Sequence, residues 1–265
     1  MKVFISADIE GVAGITHWDE AAKAHSDYSE FRQQMTTETV AACEAALDCG
    51  ATEIFVKDAH GTGRNIIASQ LPDSVTLIRG WSGHPYCMVQ EIDESFDALI
   101  MVGYHSKAGD NGNPLAHTLA KKIDYISING VRASEFLIHQ YAAALENVPV
   151  VFVSGDKGIC NEAKAANPYI ETLALLEGKG ASTICMNPKL ALEKMTVGVT
   201  KALSANFDNC AIELPDNFEV EIKYLGPVYA YQASFYPGAS LSQPQAIRFN
   251  SDDYFEVLRL LRFVV

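Results

Sequence analysis

Two acidic residues at the end of the first apolar segment are the first candidates for chemistry in this chain. Residues 3–7 form a short, mostly apolar run, Asp8 and Glu10 follow it, and Gly11 comes directly behind. Side chains two residues apart in a strand project to the same face, with Cα atoms about 6.5 Å apart. Asp8 and Glu10 can therefore converge on one cation, and we expect Gly11 to let the chain turn away. For the pair taken alone, an ordinary polar strand end is the commoner explanation.

Two later apolar segments also end in groups that can bind metal. Asp58 and His60 follow residues 53–57, and His105 follows residues 98–103. Carboxylates mixed with imidazoles suit Zn²⁺ or Mn²⁺ better than Ca²⁺ or Mg²⁺. More ligands than one tetrahedral ion needs would allow two ions about 3.5 to 4 Å apart. The alternatives are a hydrogen-bonded pair of Asp58 with His60, and a packed, satisfied His105.

Two further candidates come from less regular parts of the sequence. His117 follows a loop rich in glycine and asparagine, and Glu135 stands in the first turn of a predicted helix over 134–146. An acidic residue in a first helical turn is often present only for the helix dipole. An exposed loop histidine is the alternative for His117.

The elements that must position these residues alternate between strands and helices. Apolar runs predict strands ending near Asp8 and over 53–57, 75–79, 98–103, 125–128, 150–153 and 171–175, with helices over 31–48, 134–146 and 161–166. This order predicts an α/β fold, with a three-layer, wound, mostly parallel sheet built by right-handed crossovers. In such sheets ligands bind beyond the carboxyl ends of the strands, where Asp8, His60 and His105 are expected.

The pattern changes near residue 187. A long amphipathic helix over 188–204 is followed by strands over 219–224 and 246–249 and a last helix over 252–263. We therefore predict two regions, an α/β metal-binding catalytic core over 1–186 and a smaller α+β region over 187–265.

Composition narrows the classes of partner. The formal net charge of −13 disfavours nucleic acid and acidic membrane surfaces. No apolar run approaches the ~20 residues that cross a bilayer, and no N-terminal signal is recognisable. The six cysteines are scattered without C-x-x-C pairs, which predicts reduced thiols in a cytoplasmic protein.

Taken together, the motifs resemble the zinc D-aminopeptidases of the DppA type. The resemblance runs in order from Lys2 to about Asp156 and is weaker beyond it. One departure is Ala59, where the family pattern has serine. The matching motifs are Ser6-x-Asp8-x-Glu10-Gly11, Asp58-x-His60, Gly103-Tyr104-His105-x-Lys107-Ala108, Ala116-His117-Thr118, and Asn129 with Glu135.

The resemblance implies an activity and a set of site residues. It implies an aminopeptidase that hydrolyses the N-terminal residue of short, D-amino-acid-containing peptides with water activated by two zinc ions per subunit, in a homo-oligomer. It places the catalytic residue on His117 and the metal ligands on Asp8, Glu10, His60, His105 and Glu135.

Two other classes of function remain open at this point. A two-metal phosphoesterase also uses aspartate and histidine at strand ends, but its site normally includes asparagine and further histidines. A non-catalytic peptide-binding or metal-binding protein needs no reacting residue such as His117. Hydrolysis of amino-acid p-nitroanilides, of p-nitrophenyl phosphate, or of neither would separate the three.

Overall fold

The computed structural model describes residues 1–265 as twelve strands and seven helices. The strands are β1 (Lys2–Ala7), β2 (Glu53–Asp58), β3 (Val75–Ile78), β4 (Ala98–Tyr104), β5 (Ile123–Ile128), β6 (Val131–Arg132), β7 (Val150–Asp156), β8 (Glu171–Lys179), β9 (Ser182–Cys185), β10 (Phe218–Tyr224), β11 (Ser240–Gln243) and β12 (Ala246–Ser251). The helices are α1 (Trp18–Ala21), α2 (Tyr28–Asp48), α3 (Glu135–Leu145), α4 (Lys157–Ala166), α5 (Pro188–Leu203), α6 (Pro227–Ala233) and α7 (Tyr254–Val264).

Seven strands form a twisted sheet, called sheet A, in the order β3-β2-β1-β4-β7-β8-β9. All its pairings are parallel except that of β8 with β9. The chain winds outward from β1 in one direction and from β4 in the other, so the order of strands reverses between these two. This confirms the predicted wound, mostly parallel sheet and places its topological switch point at β1 and β4.

Helices cover both faces of sheet A. The crossovers from β1 to β2 and from β4 to β7 run in opposite directions along the sheet, so right-handed connections put α2 and α3 on opposite faces. Helix α2 packs beside α5, and α3 packs beside α4. Every residue of β4 is buried, as expected of a strand covered on both sides.

Five strands form a second, antiparallel sheet, called sheet B, in the order β11-β12-β10-β5-β6. β5 and β6 are joined by a tight turn in which Asn129 and Gly130 both have positive φ, +52° and +78°. This is the two-residue hairpin turn that an Asn-Gly pair favours. Sheet B joins strands from both sides of residue 187, and the boundary proposed there stays a prediction.

Several elements differ from their predicted bounds for local reasons. Helix α4 begins at Lys157 rather than near residue 161, because the Asp156 carboxylate caps it by accepting from the Ile159 N–H at 2.8 Å. The sequence patterns did not predict β9, α6 or β11, which are short and largely exposed. None of the helices combines the length and apolar character that crossing a bilayer demands.

Two glycines bring the ends of β1 and β4 close together. The Gly11 N–H donates to the Gly103 carbonyl at 2.8 Å, and a Cβ at Gly11 would overlap the carbonyl oxygen of Tyr104. Gly103 itself has φ +71°, a conformation that favours glycine. Gly11 lies in the turn that follows β1, which the Val12 N–H closes by donating to the Ile9 carbonyl at 3.2 Å. Its φ is not positive, so a glycine is required there for the close backbone approach.

Candidate metal centre

The carboxyl ends of β1, β2 and β4 bring four of the predicted residues together. Asp8 and Glu10 follow β1, His60 follows β2, and His105 follows β4. His60 Nδ1 lies 3.0 Å from Glu10 Oε2 and 3.3 Å from Asp8 Oδ1. His105 Nε2 lies 3.6 Å from Asp8 Oδ2. The cluster therefore forms at the switch point of sheet A, where a wound sheet leaves a crevice.

Glu135 and His117 complete the cluster from outside sheet A. Ser134 caps α3 by accepting from the Leu137 N–H, and this makes Glu135 the first residue of the helix. Its carboxylate lies 3.3 Å from His105 Nε2 and 3.7 Å from His117 Nε2. The rings of His105 and His117 stack with centroids 4.3 Å apart. All five predicted ligands and the predicted catalytic histidine thus surround one centre.

The three histidines share one arrangement of hydrogen bonds. In each ring, the nitrogen that points away from the centre lies against a backbone carbonyl oxygen: Ala21 at 2.8 Å for His60, Ser106 at 2.9 Å for His105, and Leu115 at 3.0 Å for His117. A ring nitrogen beside a carbonyl carries the proton, so the other nitrogen presents its lone pair to the centre. Metal-binding histidines are commonly oriented in this way.

The buried atoms that lack partners fit a metal ion. Glu10 Oε2 and His105 Nε2 are inaccessible to solvent and make no hydrogen bond, which is costly unless something else satisfies them. Two groups of three donor atoms each lie within 4.8 Å of one another, Asp8, Glu10 and His105 in one, and His105, His117 and Glu135 in the other. A set of carboxylate oxygens and imidazole nitrogens is the chemistry that zinc prefers.

The charges of the cluster are strongly coupled. Burial alone would lower the pKa of His60, but the carboxylates of Glu10 and Asp8 outweigh it and raise that pKa well above its usual value. Burial would raise the pKa of Glu135, but His105 outweighs it and lowers the pKa to about 2. The proton that the raised pKa keeps on His60 is one that a cation bound there would have to displace.

Asp58 belongs to the surroundings of the centre. Its Oδ2 accepts from the backbone N–H groups of Asn65 and Ile66, at 2.5 and 2.7 Å, and its Oδ1 accepts from the Asn65 side chain at 2.7 Å. Asn65 in turn donates to the carbonyl of His60 at 2.6 Å. Asp58 thus anchors the loop that presents His60, and it is not hydrogen-bonded to the His60 ring.

A second buried carboxylate, Asp156 at the end of β7, supports two of the predicted ligands. It accepts from the N–H and the hydroxyl of Ser106, at 2.5 and 2.7 Å, and from the Asn113 amide at 3.2 Å. The same amide group donates to the Glu10 carbonyl at 2.8 Å. One side chain thus holds the backbone beside His105 and, through Asn113, the backbone of Glu10.

His139 is a supporting residue that the sequence did not single out. Its Nδ1 lies 2.7 Å from the Glu135 carbonyl oxygen, and its Nε2 accepts from the Met88 N–H at 3.3 Å. Burial lowers the pKa of His139 to about 4, so the ring is neutral and holds the first turn of α3. Its place four residues after Glu135, on the same face of one helix, was the only signal in the sequence.

A cavity of about 530 Å³ opens over the cluster. The only two tryptophans of the chain, Trp18 and Trp81, line it, as do Leu258 and Arg262 of helix α7. Its size is that of a pocket for a small ligand. The C-terminal helix therefore contributes a wall to a site whose predicted metal ligands and His117 all come from the first 135 residues.

Comparison with known proteins agrees with this geometry. A family model described as D-aminopeptidase, peptidase M55, matches residues 1–263. A D-aminopeptidase of Bacillus subtilis (strain 168) is 26% identical over 263 residues, which cover 98% of this chain and 95% of that protein. The solved structure of the Zn-dependent D-aminopeptidase DppA from Bacillus subtilis, a self-compartmentalizing protease, superposes with a TM-score of 0.93 at 25% identity, over 98% of this chain and 95% of the other.

A wound α/β sheet with a histidine and carboxylate cluster at its switch point fits a metal-dependent hydrolase. The match over nearly the whole chain narrows this class to one family. The chain belongs to the M55 family of D-aminopeptidases.

Proposed function

We propose that this protein is a zinc-dependent aminopeptidase that removes an N-terminal D-amino acid from short peptides. We further propose that each subunit holds two zinc ions, with Asp8, Glu10, His60, His105 and Glu135 as ligands, and that His117 is the catalytic residue. The observation that carries this proposal is the buried, unpartnered Nε2 of His105, which stands between the carboxylates of Asp8 and Glu135. His105 is the residue that belongs to both groups of donor atoms.

The residues around the zinc ions have separate tasks. Bound zinc would polarise the peptide carbonyl and make water a stronger nucleophile near neutral pH. His117 holds its Nδ1 proton on the Leu115 carbonyl, so Nε2 is the atom that can accept and return a proton. Burial and the neighbouring His105 lower the pKa of His117, which favours the neutral, proton-accepting ring. The Trp18 ring packs against this ring in a T-shaped arrangement, with centroids 5.2 Å apart, and limits its contact with water.

The roles can be separated by measuring zinc content and turnover in the same preparations. His117→Ala should abolish hydrolysis of D-alanyl peptides and leave the zinc content intact. His60→Ala should lower zinc content and turnover together, because it removes a ligand. His25→Ala, at an exposed histidine outside the cluster, is the control. Loss of zinc in His117→Ala would make His117 a ligand, since its Nε2 lies near the Glu135 carboxylate, and the proposed role would be wrong.

The stereochemical part of the proposal rests on the family and needs its own test. Purified, zinc-loaded protein should hydrolyse D-alanyl-D-alanine faster than L-alanyl-L-alanine at equal concentration. A preference for the L-dipeptide would refute the proposed specificity and leave the aminopeptidase assignment in place.

We also propose that the protein forms a homo-oligomer in the cytoplasm. An exposed apolar surface formed by α6, the residues just after it and α7 supports self-association: the side chains of Tyr231, Phe235 and Phe263 are 61%, 70% and 73% exposed. Contiguous exposed aromatic surface of this kind is typical of protein interfaces. The solved relative is itself self-compartmentalizing. Six unpaired cysteines support a reducing compartment.

Light scattering after gel filtration tests the proposed interface. The wild type should elute as an oligomer, and Phe235→Ser should shift it towards the monomer mass. Val197→Ser, at an apolar residue of α5 that is 64% exposed, should leave the oligomer unchanged. An oligomer unaffected by Phe235→Ser would place the interface elsewhere.

A further inference from the structure

The loop over residues 117–121 is tied rigidly to the predicted metal centre. His117 lies at its start, and the Leu119 N–H donates to Glu135 Oε1 at 2.6 Å. Leu119 has φ +62°, a conformation that costs energy for a residue with a branched side chain. Because this loop is held by the Glu135 carboxylate, the position of the next residues relative to the centre is fixed as well.

Lys121 places a positive charge at the open end of this loop. Its Nζ lies over the Trp18 ring, 3.4 Å from the centroid, and its side chain lines the cavity above the cluster. No carboxylate lies within 4.0 Å of it, although the chain has 33 acidic residues and only 20 basic ones. A cation held over an aromatic ring without an acidic partner is available to an anionic group of a ligand.

The distance from Lys121 to the reacting groups suits a short peptide. The Trp18 ring is 3.4 Å from Lys121 Nζ and 5.2 Å from the His117 ring, so the ammonium lies within about 9 Å of His117. An extended peptide advances about 3.5 Å per residue. A substrate with its first peptide carbonyl beside His117 would bring the carboxylate of its second or third residue to Lys121.

We propose that Lys121 is a specificity-determining residue that binds the C-terminal carboxylate of di- and tripeptide substrates. The predicted centre at the floor of the cavity takes the amino end of the peptide, and Lys121 takes the opposite end. Trp18 connects the two, because its ring contacts both His117 and Lys121. The enzyme would thereby prefer short zwitterionic peptides over longer or C-terminally blocked ones. This inference rests on the proposed function, since it assumes that hydrolysis occurs beside His117.

The test compares D-alanyl-D-alanine with its C-terminal amide. The wild type should have the higher kcat/KM for the free acid. Lys121→Met keeps the apolar stem over Trp18 and removes the charge, so the ratio of the two kcat/KM values should fall about fivefold, as for a partly exposed ion pair. The change should come through KM. Lys121→Arg keeps a positive charge and should retain most of the preference.

Two other basic residues of the cavity rim serve as matched controls. Lys23→Met and Arg262→Met also remove one exposed positive charge beside the cavity. If either variant lowers the ratio of the two kcat/KM values as much as Lys121→Met does, the preference for the free acid comes from the overall positive charge around the cavity or from another residue. The proposal would then be wrong. Equal kcat/KM values for acid and amide in an active wild type would also overturn it. Absence of hydrolysis of both peptides would instead contradict the proposed function.

A binding measurement gives a readout that does not depend on turnover. Trp18 and Trp81 are the only tryptophans, and both line the cavity, so intrinsic fluorescence reports on its occupation. In zinc-loaded His117→Ala protein, D-alanyl-D-alanine should bind more tightly than its amide, and adding Lys121→Met should remove that difference. A difference that persists in the double variant would exclude Lys121 as the carboxylate-binding group.

Discussion

Glu38 of helix α2 is a buried carboxyl group whose ionisation should weaken the fold. Its Oε1 accepts from the Ala13 N–H at 2.9 Å and from the Gln34 amide at 2.8 Å, and its Oε2 has no partner. Burial raises the pKa of Glu38 from 4.5 to about 7, and no cation contributes. Glu38 thus holds the segment that follows Glu10 by hydrogen bonds that favour the carboxylate, but burial outweighs them and favours the neutral acid.

The sign and size of the effect follow from proton linkage. Between pH 4.5 and about 7 the folded protein keeps a proton on Glu38 that the unfolded chain has lost, so the free energy of unfolding falls as pH rises through this window. A pKa difference of this size between the folded and unfolded states changes the free energy of unfolding by about 3 kcal/mol. The contribution is fully present below pH 4.5 and is lost above the folded pKa.

Glu38→Gln removes this titration and keeps an oxygen for Ala13 and Gln34. We expect the free energy of unfolding of the variant minus that of the wild type to rise by about 3 kcal/mol as the pH is raised from 4.5 to 7.5. Urea unfolding of both proteins in one zinc-containing buffer series measures this difference, and effects of pH on the metal centre cancel between them. Glu44→Gln, at an exposed glutamate of the same helix, controls for the loss of one charge. A difference that does not change with pH, or that favours the wild type as pH rises, would refute the reasoning.

Three further predictions concern the support of the centre. Asp156→Asn should weaken zinc binding about ten- to a hundredfold, because the new amide group would face N–H and O–H donors that now meet a carboxylate. Competition with a chromogenic chelator measures the zinc affinity, and an unchanged affinity would contradict the prediction. Gly11→Ala should lower the free energy of unfolding by about 3 kcal/mol, since its Cβ would overlap the Tyr104 carbonyl; an unchanged urea midpoint would show that β1 and β4 can separate. Removing metal with EDTA should lower Tm by roughly 10 °C, the stabilisation expected at about a thousandfold excess over Kd; an unaltered Tm would mean that no stabilising ion had been bound.

The site residues that could be predicted best from the sequence are those that lie at the ends of regular strands. Asp8 and His105 follow strands that are adjacent in sheet A, so the prediction that parallel strands end at one edge was sufficient to bring them together. His60 follows the next strand on the other side of β1. For these residues, apolar runs and the rule for wound sheets carried the necessary information.

Residues held by loops and side-chain networks could not be predicted in the same way. His117 and Glu135 were only weak candidates from the sequence, and the family resemblance supplied their roles, because no periodicity in the sequence places a loop or a helix start beside a sheet. Asp58 and His60 share one motif, yet the Asp58 carboxylate turns towards Asn65. The wall that α7 contributes depends on long-range packing of sheet B, which local sequence patterns do not encode.

Anomalous X-ray scattering from crystals of the purified protein, measured on both sides of the zinc absorption edge, would show whether zinc binds at the ends of β1, β2 and β4. We expect two zinc peaks, each about 2.0 to 2.2 Å from donor atoms drawn from Asp8, Glu10, His60, His105 and Glu135. An absence of zinc peaks among these side chains, with zinc bound at another place on the protein, would contradict this expectation.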